Sequence, residues 1–152
     1  MWVPPEEKDP RVLQAPTRRS VALFGAVNVR DGRLVTMLIP VFDALSFEAF
    51  LGQLWPHRRP HRPMVIITDN AAYHHSEELE PFWERHRALR LDFLPPYSPK
   101  LNPIERVWKL LRRLCTHNAY FATLEELTER ASIQLAAWAK PNPVLQRLCC
   151  II

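Results

Sequence analysis

The sequence predicts an α/β fold that contains a mixed β-sheet. Two apolar runs joined through an Asp-Gly dipeptide indicate an antiparallel hairpin early in the chain. Farther along, apolar runs of strand length alternate with segments of helical periodicity, which is typical of a parallel sheet. With 152 residues, of which 47% are hydrophobic and 24% charged, the chain is long enough for one domain with a core.

The hairpin is the clearest local signal. Its predicted strands are the apolar runs of residues 21–29 and 34–41, and Asp31-Gly32 lies between them. Because Asp-Gly is favoured in two-residue hairpin turns, we expect a tight turn at this point.

A helix and a buried strand are predicted next. Ser46 is a suitable N-cap for residues 47–55, where apolar side chains recur every three or four positions. Residues 64–68 form a short continuous apolar run, which is typical of a strand buried on both faces. We expect this strand to be central and parallel.

The rest of the chain continues the alternation of helices and strands. The predicted elements are a surface helix over 76–87 capped by Ser76, a strand over 89–94, a helix from Pro103 to about residue 117 capped by Asn102, and a last helix to about residue 138 capped by Thr123.

Prolines divide the chain into three parts. Its 15 prolines are about twice the usual share, and four of them fall within residues 1–20, where we expect an extended arm. Residues 21–140 carry the predicted elements and form the predicted domain. Residues 141–152 are expected to be a C-terminal tail.

Composition narrows the class of protein. No apolar run approaches the roughly 20 residues of a membrane-spanning helix, and the first residues lack a secretory signal pattern, so we expect a cytoplasmic protein. Three cysteines without a CxxC pair favour neither a disulfide framework nor structural zinc.

The net charge of +4 is unevenly distributed. Residues 1–63 carry nine basic and six acidic side chains, residues 64–100 four and six, and residues 101–152 seven and four. Basic flanks around an acidic middle suit a polyanion-binding surface around a metal-carboxylate centre. On charge alone, ordinary scatter is the simpler interpretation.

Asp69 is the first candidate for chemistry. It follows the predicted 64–68 strand, and sites in open α/β sheets gather beyond the carboxyl ends of strands. Its carboxylate could bind a hard cation, with Asn70 beside it as an oxygen ligand. The alternative is that Asp69 and Asn70 only form an Asx turn.

Glu105 is the second candidate. At 100° per residue it shares a helix face with Lys109, Arg112 and Thr116. The structural alternative is a capping box with Asn102 and an i,i+4 pair between Glu105 and Lys109. That alternative does not explain the prolines before Glu105, which fix the backbone there. A surface helix cap does not need such a rigid backbone, whereas a precisely positioned ligand does.

Asp69 and Glu105 could form one metal site. Paired carboxylates that hold two Mg²⁺ or Mn²⁺ ions are a recurrent arrangement for in-line attack on a phosphodiester. The basic residues around Glu105 suit the DNA backbone. They are Arg106, Lys109, Arg112 and Arg113.

Two stretches resemble catalytic signatures of a known family. One is Thr68-Asp-Asn-Ala-Ala-Tyr-His74, and the other, from Leu94 to Trp108, reads Leu-Pro-Pro-Tyr-Ser-Pro-Lys-Leu-Asn-Pro-Ile-Glu-Arg-Val-Trp. They closely resemble the second and third signatures of DDE transposases of the mariner-like superfamily, in particular the bacterial insertion sequence 630 type. Residues 21–54 are similar to that family as well, so the resemblance covers about residues 1–140.

The resemblance implies a fold, an activity and partners. It implies a ribonuclease-H-like domain that cleaves DNA with Mg²⁺ (or Mn²⁺) at terminal inverted repeats and transfers the ends into a TA target. It makes Asp69 and Glu105 catalytic metal ligands, and Asn70 and His74 site-lining residues. The implied partners are double-stranded DNA, as transposon ends and target, and further copies of the chain in a homo-oligomer with DNA.

One departure from the family pattern matters. Members carry a first catalytic aspartate on a strand ahead of the tryptophan that Trp2 resembles, and a helix-turn-helix before that; residues 1–152 show neither. Asp9, Asp31 and Asp43 lie in an arm, a turn and a loop, so none is expected to replace it. We therefore expect a domain that lacks its first strand and is inactive until a preceding segment supplies the aspartate. The alternative is an inactive remnant that only binds DNA or full-length transposase.

Overall fold

The computed structural model describes residues 21–117 and 119–150 and confirms an α/β architecture. The strands are β1 Ala22–Val27, β2 Leu34–Ile39, β3 Met64–Thr68 and β4 Leu89–Phe93. The helices are α1 Ala44–Leu54, α2 Glu80–Arg85, α3 Pro103–Cys115, α4 Leu124–Ala137 and α5 Pro143–Cys149. The predicted proline-rich arm of residues 1–20 lies outside the described residues.

The chain divides into two compact units. The first, which we call the strand unit, comprises Ala22–Ala26 and Val35–Pro103. The second, the helical unit, includes Val27–Leu34 and the chain from Ile104 onward.

The predicted hairpin is confirmed, but its turn is longer than expected. β1 pairs with β2, and six residues separate the two strands. Within the turn, the Asn28 N–H donates to the Arg33 carbonyl over 2.8 Å, and the Arg33 N–H donates to the Asp31 carboxylate over 2.9 Å. Gly32 has a φ of 73°, a left-handed conformation that glycine adopts without steric cost.

The described residues contain both parts of the predicted mixed sheet, the hairpin and the parallel pair, but do not join them into one sheet. β3 pairs with β4 in parallel, as the alternation of strands and helices predicted, and the register places Met64 opposite Leu89 and Thr68 opposite Phe93. However, β1 and β2 form a separate two-stranded sheet, and no described strand joins the two pairs.

The prediction that β3 is buried on both faces is wrong. Met64, Ile66 and Thr68 are half-buried, whereas Val65 and Ile67 are 50% and 53% exposed. Because successive side chains of a strand point to opposite faces, one face of β3 packs on the core of the strand unit and the other is open.

Helix α1 begins earlier than predicted. Asp43, rather than Ser46, is the N-cap, and its carboxylate accepts the Ser46 N–H over 2.7 Å. The apolar stripe of the helix is buried as expected.

The helix predicted over residues 76–87 is interrupted. Ser76 caps a 3₁₀ turn over Glu77–Leu79, and α2 then covers only Glu80–Arg85. Pro81 explains the break, because proline lacks an N–H and is tolerated only in the first turn of an α-helix.

The strand unit has a continuous apolar core. It is built from β1, β2, α1, the turn before α2, α2 and β4. Its buried members are Phe24, Ile39, Ala44, Phe47, Phe50, Leu51, Leu54, Leu79, Phe82 and Leu89.

The segment predicted as a C-terminal tail contains helix α5. Asn142 caps it by accepting the N–H groups of Val144 and Leu145, and Leu145 is fully buried. The cap also meets the hairpin turn, because the Asn142 N–H donates to the Asp31 carbonyl over 2.8 Å.

Helix α4 agrees with its prediction. Thr123 accepts the Glu126 N–H over 3.2 Å, and the Glu126 carboxylate accepts the Ala122 N–H over 3.1 Å. Trp138 follows the helix, and its carbonyl accepts the Leu34 N–H over 2.9 Å within the helical unit. Among the described residues, no helix is both long and apolar enough to cross a membrane.

Candidate active site

Asp69 lies directly beyond the carboxyl end of β3, where the sequence placed it. The Leu94 N–H donates to the Thr68 carbonyl over 2.8 Å, which holds the ends of β3 and β4 together. The Asp69 side chain is 70% exposed. The paired strands β3 and β4 therefore position the Asp69 carboxylate at the protein surface, in contact with solvent.

The Asx-turn interpretation of Asp69 does not agree with the structure. The side chains of Asp31 and Asp43 each accept a backbone N–H nearby in sequence. In the described part of the chain, the Asp69 carboxylate accepts no such bond; its recorded contact is with the His74 ring. Its oxygens therefore remain available to a ligand.

His74 lies next to Asp69, on the side that faces the core of the strand unit. It is 5% exposed, and its Nδ1 atom lies 3.0 Å from the Asp69 carbonyl oxygen and 3.5 Å from carboxylate Oδ1. Burial lowers the pKa of His74, and the hydrogen bond and charge of Asp69 oppose that change in part. The predicted site-lining position of His74 is thus next to Asp69, on the buried side.

Tyr73 belongs to the same turn. Burial, aided by the negative charge of Asp69, raises the pKa of Tyr73 to about 12, so the phenol is uncharged near neutral pH. Its ring packs against Phe24 and Phe47, with ring centroids 5.9 and 5.8 Å away. Tyr73 therefore anchors the turn to the core of the strand unit.

The side chain of Asn70, the next residue, is held by a contact with His75. The Oδ1 atom of Asn70 is hydrogen-bonded to His75 Nε2, and the His75 ring stacks on Phe93 at a centroid distance of 4.5 Å. Phe93 is the last residue of β4. The loop after β3 is thus fixed by contacts to α1, β1 and β4.

The proline-rich approach to α3 has its own local order. The Ser98 hydroxyl donates to the Pro96 carbonyl over 3.3 Å, and Pro99–Leu101 form a 3₁₀ turn. Tyr97 has a φ of 57° and is fully exposed. A non-glycine residue in this left-handed region is uncommon and is often found at functional sites.

Glu105 lies in the first turn of α3 and is exposed. In the described residues it makes no ion pair with Lys109, so the i,i+4 alternative is not what the structure has. Val107, on the opposite side of the helix from Glu105, is fully buried, and Cys115, on an adjacent side, is also buried. The carboxylate therefore points away from the core, as the helical periodicity predicted.

The basic residues of α3 differ in their surroundings. Lys109 and Arg113 are exposed, and Arg112 is half-buried. Arg106 is engaged inside the helical unit, because its Nη1 atom donates to the Leu148 carbonyl over 3.0 Å and so ties α3 to α5. The role of these four residues in binding DNA stays a prediction.

The predicted site residues form two groups. Asp69, Asn70 and His74 share the loop after β3 in the strand unit. Glu105 and the four basic residues share α3 in the helical unit. A common metal site of Asp69 and Glu105 stays a prediction.

Sequence reasoning missed two residues that shape the loop. Tyr73 contacts His74, and Phe93 stacks on His75, the hydrogen-bond partner of Asn70; periodicity gives no role to Tyr73 and marks Phe93 only as an apolar position of β4. The position of Tyr73 within the motif and the position of Phe93 at a strand end were the available signals.

The chemistry of Asp69 and Asn70 suits a hard cation. Carboxylate and amide oxygens are ligands that Mg²⁺ prefers, and an exposed carboxylate leaves room for the waters that this ion keeps. Over residues 21–117 and 119–150, no group of three or more histidine, cysteine, aspartate or glutamate side chains lies close enough to hold a metal ion. These two residues therefore fit part of a ligand set.

Comparison with known proteins agrees with this description. Residues 1–128 match the family described as DDE superfamily endonuclease. The uncharacterized protein y4pE/y4sA of Sinorhizobium fredii is 30% identical over 118 residues, which span 78% of this chain and 82% of that protein. The insertion element IS630 uncharacterized 39 kDa protein of Shigella sonnei is 24% identical over 120 residues, which span 79% of this chain and 35% of that protein.

Proposed function

The chain belongs to the DDE superfamily endonucleases, of the transposase type found in IS630 elements, and we propose that it carries two of the catalytic carboxylates of a DNA transposase. The activity proposed is cleavage of DNA at terminal inverted repeats, followed by strand transfer into a target. The observation that carries the proposal is Asp69, an exposed carboxylate at the end of a parallel strand within a loop held by buried contacts.

Asp69 and Glu105 are the proposed ligands of the divalent ions that this superfamily uses. When bound, Mg²⁺ or Mn²⁺ activates the attacking oxygen and supports the leaving oxygen of a phosphodiester. The loop after β3 contributes by holding the Asp69 backbone in place while its carboxylate stays in solvent. Pre-positioned ligands of this kind lower the cost of forming the reactive arrangement.

The α3 helix is the proposed contact with the DNA backbone. Lys109 and Arg113 are exposed on the helix that carries Glu105. Their positive charges can neutralise phosphates near the cleaved bond and release counterions. Such contacts position a duplex without reading its sequence. We propose that the protein acts on DNA in the cytoplasm, as a homo-oligomer with DNA.

We also propose that a strand from a preceding segment completes the sheet and carries the first catalytic aspartate. In the described residues, β3 pairs with β4 alone, so the other edge of β3 has no strand partner there. The exposed Val65 and Ile67 give β3 an open apolar face. Another strand on the free edge of β3 would satisfy backbone groups that are otherwise open to unwanted pairing.

The test is a Mg²⁺-dependent cleavage assay on duplex DNA that ends in the terminal inverted repeat. The purified chain is assayed alone and together with a preceding segment that supplies the strand and the aspartate. We expect DNA binding without cleavage in the first case and specific cleavage in the second. Specific nicking by the chain alone would contradict the requirement for a third carboxylate, and binding without cleavage in both cases would favour the non-enzymatic remnant.

A further inference from the structure

His74 is the buried polar side chain of the described core. Its 5% exposure contrasts with the open surroundings of Asp69, only five residues earlier. The ring packs between Phe47 and Tyr73, with centroid distances of 4.5 and 4.4 Å. An imidazole costs free energy to bury unless its polar atoms are hydrogen-bonded, so the partner of its Nδ1 atom matters.

That partner is the backbone carbonyl of Asp69, 3.0 Å away. A carbonyl oxygen can only accept a hydrogen bond, so Nδ1 must carry the proton. In the neutral ring, Nε2 is then unprotonated. The structure therefore fixes one of the two tautomers of His74.

From this geometry we infer that His74 is a positioning residue: its Nδ1–H holds the main chain of Asp69 so that the carboxylate is presented to solvent in a fixed orientation. The inference rests on the proposed role of Asp69 as a metal ligand. A core histidine with no such role could bond to any nearby acceptor, whereas here the bond goes to the residue that carries the ligand. The same Nδ1 atom also lies 3.5 Å from Asp69 Oδ1, so the ring is next to both the main chain and the carboxylate of Asp69.

The tautomer is tested first, in the unmodified chain. Nitrogen-15 NMR of the imidazole, recorded above about pH 8 where a histidine of ordinary pKa is neutral, should show the proton of His74 on Nδ1. A proton on Nε2 would overturn the inference, because Nδ1 would then have nothing to donate to Asp69. This measurement involves no metal and no activity.

The positioning role is tested by metal binding. Mn²⁺ is titrated into the chain, and its affinity is read from the relaxation of amide signals in the loop after β3. His74→Leu removes the donor but keeps an apolar side chain in the pocket, and it should weaken Mn²⁺ binding by about 10–100-fold, the usual effect of losing a residue that orients a ligand. His74→Asn retains an N–H donor near the position of Nδ1 and should restore most of the affinity.

Asp69→Asn separates the two proposals. If it leaves Mn²⁺ binding unchanged, the proposed ligand role of Asp69 fails, while the NMR result still decides how His74 is bonded. If Asp69→Asn abolishes binding but His74→Leu does not weaken it, the ligand role stands and the positioning role is overturned. Equal weakening in His74→Leu and His74→Asn would also overturn it, because a donor at this position would then have no effect.

Discussion

Replacing Gly32 by alanine tests how the C-terminal helix is seated on the hairpin turn. Gly32 has a φ of 73°, and a Cβ atom added there overlaps the backbone oxygen of Asn142 and lies 2.6 Å from the backbone nitrogen of Gln146. Both neighbours are backbone atoms, so they cannot rotate away as a side chain would. The start of α5 must therefore move away from the turn.

The expected cost follows from two contributions. A residue with a Cβ atom pays about 1–2 kcal/mol in the left-handed region. The displaced helix start also weakens two hydrogen bonds to the turn, from Asn142 N–H to Asp31 O and from Gln146 Nε2 to Arg30 O, each worth about 0.5–1.5 kcal/mol. Gly32→Ala should therefore lower the free energy of unfolding by about 2–5 kcal/mol if both hydrogen bonds are lost.

Gly52 provides a matched control. It lies in α1, and a Cβ atom added there meets no atom within 4 Å. Gly52→Ala should raise the free energy of unfolding by about 0.5–1 kcal/mol, because alanine loses less backbone entropy in a helix. Urea unfolding followed by tryptophan fluorescence measures both variants. A Gly32→Ala variant within about 0.5 kcal/mol of the parent, or a destabilised Gly52→Ala variant, would refute the reasoning.

Two further predictions concern the helical unit. Leu145→Ala should lower the free energy of unfolding by about 2–5 kcal/mol in the same assay, because Leu145 is fully buried in a helix first expected to be a tail; a change no larger than that of a surface substitution would contradict its packing. Replacing three exposed or half-buried basic residues of α3 by alanine should reduce the slope of log affinity for DNA against log salt concentration by up to about 0.9 for each lost phosphate contact. An unchanged slope would mean that these side chains are only solvated and do not contact DNA. Those residues are Lys109, Arg112 and Arg113.

Local sequence patterns predicted the helices and strands better than they predicted the tertiary contacts of those elements. The Asp-Gly dipeptide correctly predicted the position of the hairpin. It did not give the length of the turn, because the turn also bonds to Asn142 and Gln146, more than 100 residues later in the chain. Contacts at that separation leave no trace in a local pattern.

Capping illustrates a different limit. Asp43 and Ser46 are both favourable N-cap residues, and the apolar periodicity of α1 does not choose between them. For α5 the signal was present, since Asn142-Pro143 repeats the Asn-Pro pair that marks the start of α3. The helix covers only seven residues, so its apolar periodicity is too short to be recognised.

In the candidate site too, local sequence patterns predicted the positions of residues but not their tertiary contacts. The motif and the strand end identified Asp69, and helical periodicity placed Glu105 on an exposed face. The bond from His74 to the Asp69 carbonyl could not be predicted, because it depends on how a 3₁₀ turn packs the ring against Phe47. The open face of β3 was also not predicted, because a continuous apolar run is typical of a strand buried on both faces, and here apolar Val65 and Ile67 occupy the exposed face.

The most direct test of the account is DNA cleavage by carboxylate variants. Asp69→Asn and Glu105→Gln are each prepared in the chain supplemented with a segment that carries the proposed strand and first aspartate, and Mg²⁺-dependent cleavage of inverted-repeat DNA is measured beside DNA binding. Each variant preserves side-chain size while removing a charged metal ligand. We predict that both variants bind DNA like the parent and that neither cleaves it. Cleavage at the parental rate by either variant would contradict the assignment of that residue to the catalytic metal site.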